Sequence, residues 1–155
     1  MRAVVQRVSS ASVAVDGKQV GHIGAGLLVL LGVAPDDGPE DTAFMVRKLS
    51  GLRIFADVDG LMNRSVLDIN GSFLVVSQFT LYGDVARGNR PSFTGAAAGA
   101  HADDIYRDVC MGLRNQGFDV QNGVFGAHME VSLVGDGPVT IIIDTDSRKK
   151  RVQQA

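Results

Sequence analysis

Apolar and polar residues alternate from the start of the chain. RAVVQRV over 2–8 and ASVAV over 11–15 put side chains of opposite character on opposite faces of an extended backbone. Asp16-Gly17 then offers a hairpin turn before Lys18-Gln19-Val20, so the N-terminus predicts a β-meander. After Gly24-Ala25-Gly26 the pattern changes to LLVLLGV over 27–33, a continuous apolar run suited to a central strand covered on both faces. Asp36-Asp37-Gly38-Pro39 sets proline at a helix start, and Phe44, Val46, Leu49 and Leu52 give the stripe of a first helix over 39–51. Arg53-Ile54-Phe55 predicts a short strand and 57–71 a turn-rich loop. A strand from Leu74 to Leu81 should end at Gly83-Asp84, with Ser77, Phe79 and Leu81 on one face and Gln78, Thr80 and Tyr82 on the other. A glycine- and alanine-rich connection over 87–99 leads to a second helix over 101–115, marked by Ile105, Tyr106, Val109 and Leu113. Strands over 130–134 and 138–144 flank a turn at Gly135-Asp136-Gly137. The fold class is α+β: one domain over 1–146, mostly antiparallel sheet with two main helices, followed by a basic, disordered tail over 147–155.

Composition sharpens this picture. Glycine occurs 19 times, where average usage would give about 11, in keeping with many tight turns and strand ends. Cys110 is the single cysteine, which rules out a disulfide within the chain and a thiolate cluster, suits a reducing cytoplasm, and reads as a packed core thiol. The apolar run at 27–33 falls well short of the roughly 20 residues of a membrane span. Net charge is −2, and with Arg148-Lys149-Lys150-Arg151 set aside, 11 basic residues face 17 acidic ones. Charge alone therefore argues against a nucleic-acid partner.

Familiar catalytic constellations are missing. His22, His101 and His128 are scattered and read as surface or helix-end residues, with no metal-ligand spacing; GHIGAG over 21–26 lacks the strand-turn-helix setting of a dinucleotide site. No metal and no cofactor are expected. The local oddity is SQFTLYGD over 77–84, where Ser77, Gln78 and Thr80 crowd a strand end. Those groups either bond to neighbouring backbone or line a pocket. A second oddity is Gly137-Pro138 opening the last strand, for which a trans bond is the default, cis being about 5–6% of X-Pro bonds.

Taken in order, QRV (6–8), ASVAV (11–15), IGAGLLVLLGV (23–33), RIF (53–55), MN (62–63), VVSQFTLYGD (75–84), RGNRPSF (87–93) and EVSLVGDGPVT (130–140) resemble the D-aminoacyl-tRNA deacylases from Met1 to about Asp144. The resemblance implies a barrel-like β-rich subunit, a homodimer with no membrane or DNA partner, and hydrolysis of the ester joining a D-amino acid to tRNA. It implies that Ser77, Gln78, Phe79 and Thr80 of one subunit face Gly137 and Pro138 of the other, that the Gly-Pro bond is cis, that Arg7 braces it, and that Met129 lies near the substrate's entrance. The chain departs from the family at Gly135, where the pattern Asn-x-Gly-Pro carries asparagine; a lost amide could loosen the turn.

Such an ester needs an aimed water and donors for the oxyanion, not a strong protein nucleophile. Main-chain N–H groups near Phe79 suit the carbonyl oxygen, and Thr80 with the terminal ribose hydroxyl suits the water; Thr80 as covalent nucleophile is the variant lacking a base. A rigid Gly137-Pro138 wall would reject L-amino acids by collision and leave glycine cleavable. Gripping only the 3′ end of tRNA needs few phosphate contacts, for which Arg87, Arg90 and the 148–151 run are candidates. The alternatives are a related deacylase that edits L-aminoacyl errors, a non-catalytic nucleic-acid-binding module and a generic Ser/Thr esterase.

Overall fold

A computed structural model describes residues 1–147; the tail expected over 147–155 lies, but for Ser147, outside the described residues. The elements run β1 (Arg2–Val15), β2 (Lys18–Ile23), β3 (Gly26–Gly32), α1 (Pro39–Gly51), β4 (Phe55–Ala56), β5 (Met62–Arg64), β6 (Ser72–Ser77), a 3₁₀ turn (Phe79–Tyr82), α2 (Gly99–Asn115), β7 (Val120–Asn122) and β8 (Glu130–Asp144). The two alternating N-terminal segments form one long strand. One stretch of β1, residues 2–8, pairs with β3 and another, 11–15, with β2, while β8 runs antiparallel along nearly all of it.

β3, β6 and β7 are parallel, and the crossovers between them contain α1 and α2. This explains the unbroken apolar run at 27–33. Leu27, Val29 and Leu31, with Phe73 and Val75, belong to the core that includes Met45 and Leu49 of α1 and Val109 and Leu113 of α2. Leu28 joins Val8, Val13, Ile23, Leu74 and Val76 in a second core. The sheet curls toward a barrel, so that a Cβ on Gly21 of β2 would stand 2.9 Å from the Asn122 carbonyl oxygen of β7.

Three expectations need correction. The strand predicted through Leu81 stops at Ser77: Gln78 N–H donates to the Leu31 carbonyl, and since β3 ends at Gly32 and β7 at Asn122, no ladder partner remains among the described residues. The backbone turns back on itself instead, with Leu81 N–H donating to Gln78 and Gly83 N–H to Thr80. The loop over 57–71 contains β5, paired with β4 in a hairpin shaped by Asp57. Its Oδ1 accepts the Asp59 and Leu61 N–H groups, holding this carboxyl below the usual range, with the Leu61 bond the largest cause. Finally, 135–137 does not reverse the chain. It lies within β8, as an outward bulge.

The Met1 ammonium is buried against Asp37 Oδ1 at 2.6 Å, and Asp37 Oδ2 accepts the Ala34 N–H at 2.6 Å. Removing one partner strands a buried charge. Asp37→Ala is therefore expected to cost about 3–5 kcal/mol of stability, to be read from urea denaturation.

Candidate active site

A cavity of about 440 Å³ opens at the carboxyl ends of β3 and β6, beside the first turns of α2. Clefts gather there because parallel strands end together while their crossover helices diverge. Leu31, Val76, Ser77, Gln78 and Phe79 line one side, Ala102 and Tyr106 of α2 another, and Phe125, His128 and Met129 the rim toward β8. Among the described residues, no carboxylate, lysine or arginine lines it, and no cluster of three or more His, Cys, Asp or Glu stands ready to hold a metal.

The α2 wall is fixed by hydrogen bonds. Tyr106 OH donates to the Val75 carbonyl at 2.8 Å, and Asn122 Nδ2 donates to Tyr106 OH at 3.0 Å and reaches Cys110 Sγ. Burial pushes the Tyr106 phenol and the Cys110 thiol up from their ordinary values, so both stay protonated near neutrality. Cys110 is thus an inert packing group.

The end of β6 presents the reactive-looking groups. Ser77 and Gln78 are half-buried, whereas Phe79 and Thr80 are exposed. Since the first i to i+3 bond donor is Leu81, the N–H groups of Phe79 and Thr80 precede the turn's own bonds and have no acceptor within it. Gln78 Nε2 donates to Thr80 Oγ1. A hydroxyl oxygen that already accepts retains its proton to give, so Thr80 is disposed as a donor.

The bulge in β8 has a definite construction. Gln6 pairs with Thr140 and Val8 with Gly135, leaving Asp136 to Val139 looped out opposite Arg7. Arg7 Nε donates to the Asp136 carbonyl at 3.0 Å and sits 3.1 Å from the Asp136 carboxylate; Nη1 donates to the Ile54 carbonyl. The Gly137–Pro138 peptide is cis. Gly137 has φ +123, and a Cβ there would lie 2.7 Å from Arg7 Nη2 and 3.1 Å from Val139 Cγ2. Only glycine fits this backbone.

A family model described as D-Tyr-tRNA(Tyr) deacylase matches residues 4–144. The chain belongs to that family. The family's reaction is hydrolysis of the ester between an aminoacyl group and tRNA, and the D-aminoacyl ester is its substrate class. Two solved structures are similar. "c-Myc DNA Unwinding Element Binding Protein" shares 42% identity over 93% of this chain and 98% of its own, with a TM-score of 0.87. "Structural Analysis of a probable eukaryotic D-amino acid tRNA deacylase" shares 21% over 92% and 98%, with a TM-score of 0.77, and has the same fold.

In this deacylase fold, Ser77, Gln78, Phe79 and Met129 line one cavity; Thr80, Arg7, Gly137 and Pro138 do not line it within a single chain. Sequence reasoning missed Tyr106, Phe125 and His128 as lining residues. Tyr106 carried only a helix-stripe signal, and 123–129 carries no periodicity. His22, His101 and His128 are exposed, His101 in the first turn of α2 with Nε2 3.1 Å from the Asp37 carbonyl oxygen.

Proposed function

We propose that this deacylase works as a cytoplasmic homodimer that removes D-amino acids, and glycine, from tRNA as a proofreading step of translation. The Asp136–Val139 bulge of each subunit closes the Ser77–Thr80 site of its partner. The observation that carries this reading is the bulge itself: four residues of main chain, exposed at Gly137-Pro138, loop out of the β1 ladder and are tied down by Arg7, which donates to the Asp136 carbonyl within the bulge and to the Ile54 carbonyl outside it. A brace of that kind suits a rigid wall.

Dimerisation is supported by the edge of β8. Among the described residues β8 pairs only with β1, and it exposes Leu133, Val134 and Ile142, the last at 73%. A long apolar edge strand invites a partner. Gly135 leaves the bulge without a side-chain amide at that position, and the Arg7 bonds do not depend on one.

In this mechanism the carbonyl oxygen of the ester accepts hydrogen bonds from the Phe79 and Thr80 N–H groups, which stabilise the charge that develops there. Water attacks the carbonyl carbon, oriented by the Thr80 hydroxyl and the free ribose hydroxyl. The carbon–ribose oxygen bond then breaks, and the water's proton ends on the departing ribose oxygen. Covalent catalysis by Thr80 lacks a base, because its partner Gln78 is itself a donor. An L-amino acid would direct its side chain into the partner's Gly137-Pro138 main chain, whereas glycine has nothing to collide.

Initial rates on tyrosyl-tRNA of either hand and on glycyl-tRNA test the proposal. D-Tyrosyl- and glycyl-tRNA should be cleaved, and the L-ester at least a thousandfold more slowly, on the order of 4 kcal/mol of discrimination. Glycyl-tRNA left intact while the D-ester is cut would refute the steric wall. A second reading, DNA binding, is favoured by the likeness to the 42%-identical c-Myc DNA unwinding element binding protein. The acidic balance of this chain gives duplex phosphates little to bind.

A further inference from the structure

We propose that the hairpin at Asp84–Thr94 is a phosphodiester site that grips the single-stranded 3′ end of the substrate upstream of the ester; this rests on the deacylase reading above. Among the described residues, most cations are already engaged. Arg2, Arg7 and Arg107 pair with carboxylates, Arg53, Arg64 and Arg114 donate to carbonyls, and Arg47 and Lys48 lie over the Phe44 ring. Arg87 and Arg90 have no such partner among the described residues and share one cavity of about 620 Å³ with Asn89, Ser92 and Thr94. Two guanidinium groups with an amide and two hydroxyls form a donor-rich recess, the chemistry that phosphate oxygens require.

The hairpin is built to hold that recess open. Asp84 and Ser92 exchange both main-chain hydrogen bonds, at 2.8 and 2.9 Å, closing its base. Asp84, the one carboxylate in the recess among the described residues, uses Oδ1 to accept the Ala86 N–H at 2.8 Å and so shapes the turn. Both ends are tied to the catalytic frame. Gly83 N–H donates to Thr80, Phe93 packs edge-on against Phe79 at 5.1 Å, and Ala97, which lines the active-site cavity, donates to the Val33 carbonyl. A strand whose last ribose sits at Phe79 would pass its preceding phosphates over this hairpin. That placement supplies local attraction in a chain whose overall charge is negative.

The test compares two substrates of the intact enzyme, D-tyrosyl-tRNA and 3′-O-D-tyrosyl-adenosine, which carries no phosphate. For Arg87→Ala/Arg90→Ala, the ratio of kcat/KM on tRNA to that on the nucleoside ester should fall on the order of tenfold, through KM. The slope of log KM against log salt should shrink by about 0.7 for each phosphate that the variant no longer neutralises. Arg87→Lys/Arg90→Lys should restore most of the ratio, since the charge remains. A parent enzyme active on both esters, with ratio and slope unchanged in the alanine variant, overturns the phosphate site and leaves the deacylase reading standing. A parent inactive on both overturns the two together.

Discussion

Gly137→Ala should lower kcat/KM for D-tyrosyl-tRNA more than a hundredfold while the subunit stays folded. Two costs combine at this position. The φ of +123 lies where L-residues are strained, by about 1–3 kcal/mol. The new methyl would also meet Arg7 Nη2 at 2.7 Å, and Arg7 cannot swing aside without releasing the Asp136 and Ile54 carbonyls. The bulge must therefore shift, and a displacement near 1 Å at a site that positions its substrate costs about two orders of magnitude. Ladder pairs with β1 on both sides of the bulge, from Arg2 with Asp144 to Ala14 with Glu130, hold β8 in place, so circular dichroism should be nearly unchanged. Activity within threefold of the parent would mean that the bulge does not touch the reaction.

The second large effect is expected at Thr80. Its hydroxyl accepts from Gln78 and keeps its own proton to direct at the attacking water, so Thr80→Ala should reduce kcat about a hundredfold with a smaller change in KM. Thr80→Ser, which keeps the hydroxyl, should recover most of the rate. Should Thr80→Ala turn over at nearly full kcat, the residue has no part in either the positioning or the nucleophile scheme.

Much of the architecture was legible because its signals are strong and local. Pro39 at a helix start with the stripe from Phe44 to Leu52 marked the limits of α1, and the unbroken run at 27–33 announced a strand buried on both faces. What the pattern could not supply depends on neighbours distant in sequence. SQFTLYG keeps a strand-like alternation, yet from Phe79 it becomes a 3₁₀ turn because β3 and β7 end beside it and no ladder partner remains among the described residues. Gly135-Asp136-Gly137 has turn composition, but whether such residues reverse a chain or bulge from it is decided by β1, which pairs on both sides of them. Ser77, Gln78, Phe79 and Met129 were legible as candidates through the family motif, whereas Tyr106, Phe125 and His128 come together only by folding.

Mixing the two disabled variants probes the shared site without intermediaries. If each catalytic centre takes Thr80 from one chain and Gly137 from the other, equal amounts of Thr80→Ala and Gly137→Ala protein, allowed to exchange subunits, form heterodimers with one intact centre apiece. About a quarter of the parent activity should then return. A mixture confirmed by native mass spectrometry to contain heterodimers, yet no more active than its components, would show that the two segments do not meet across the dimer.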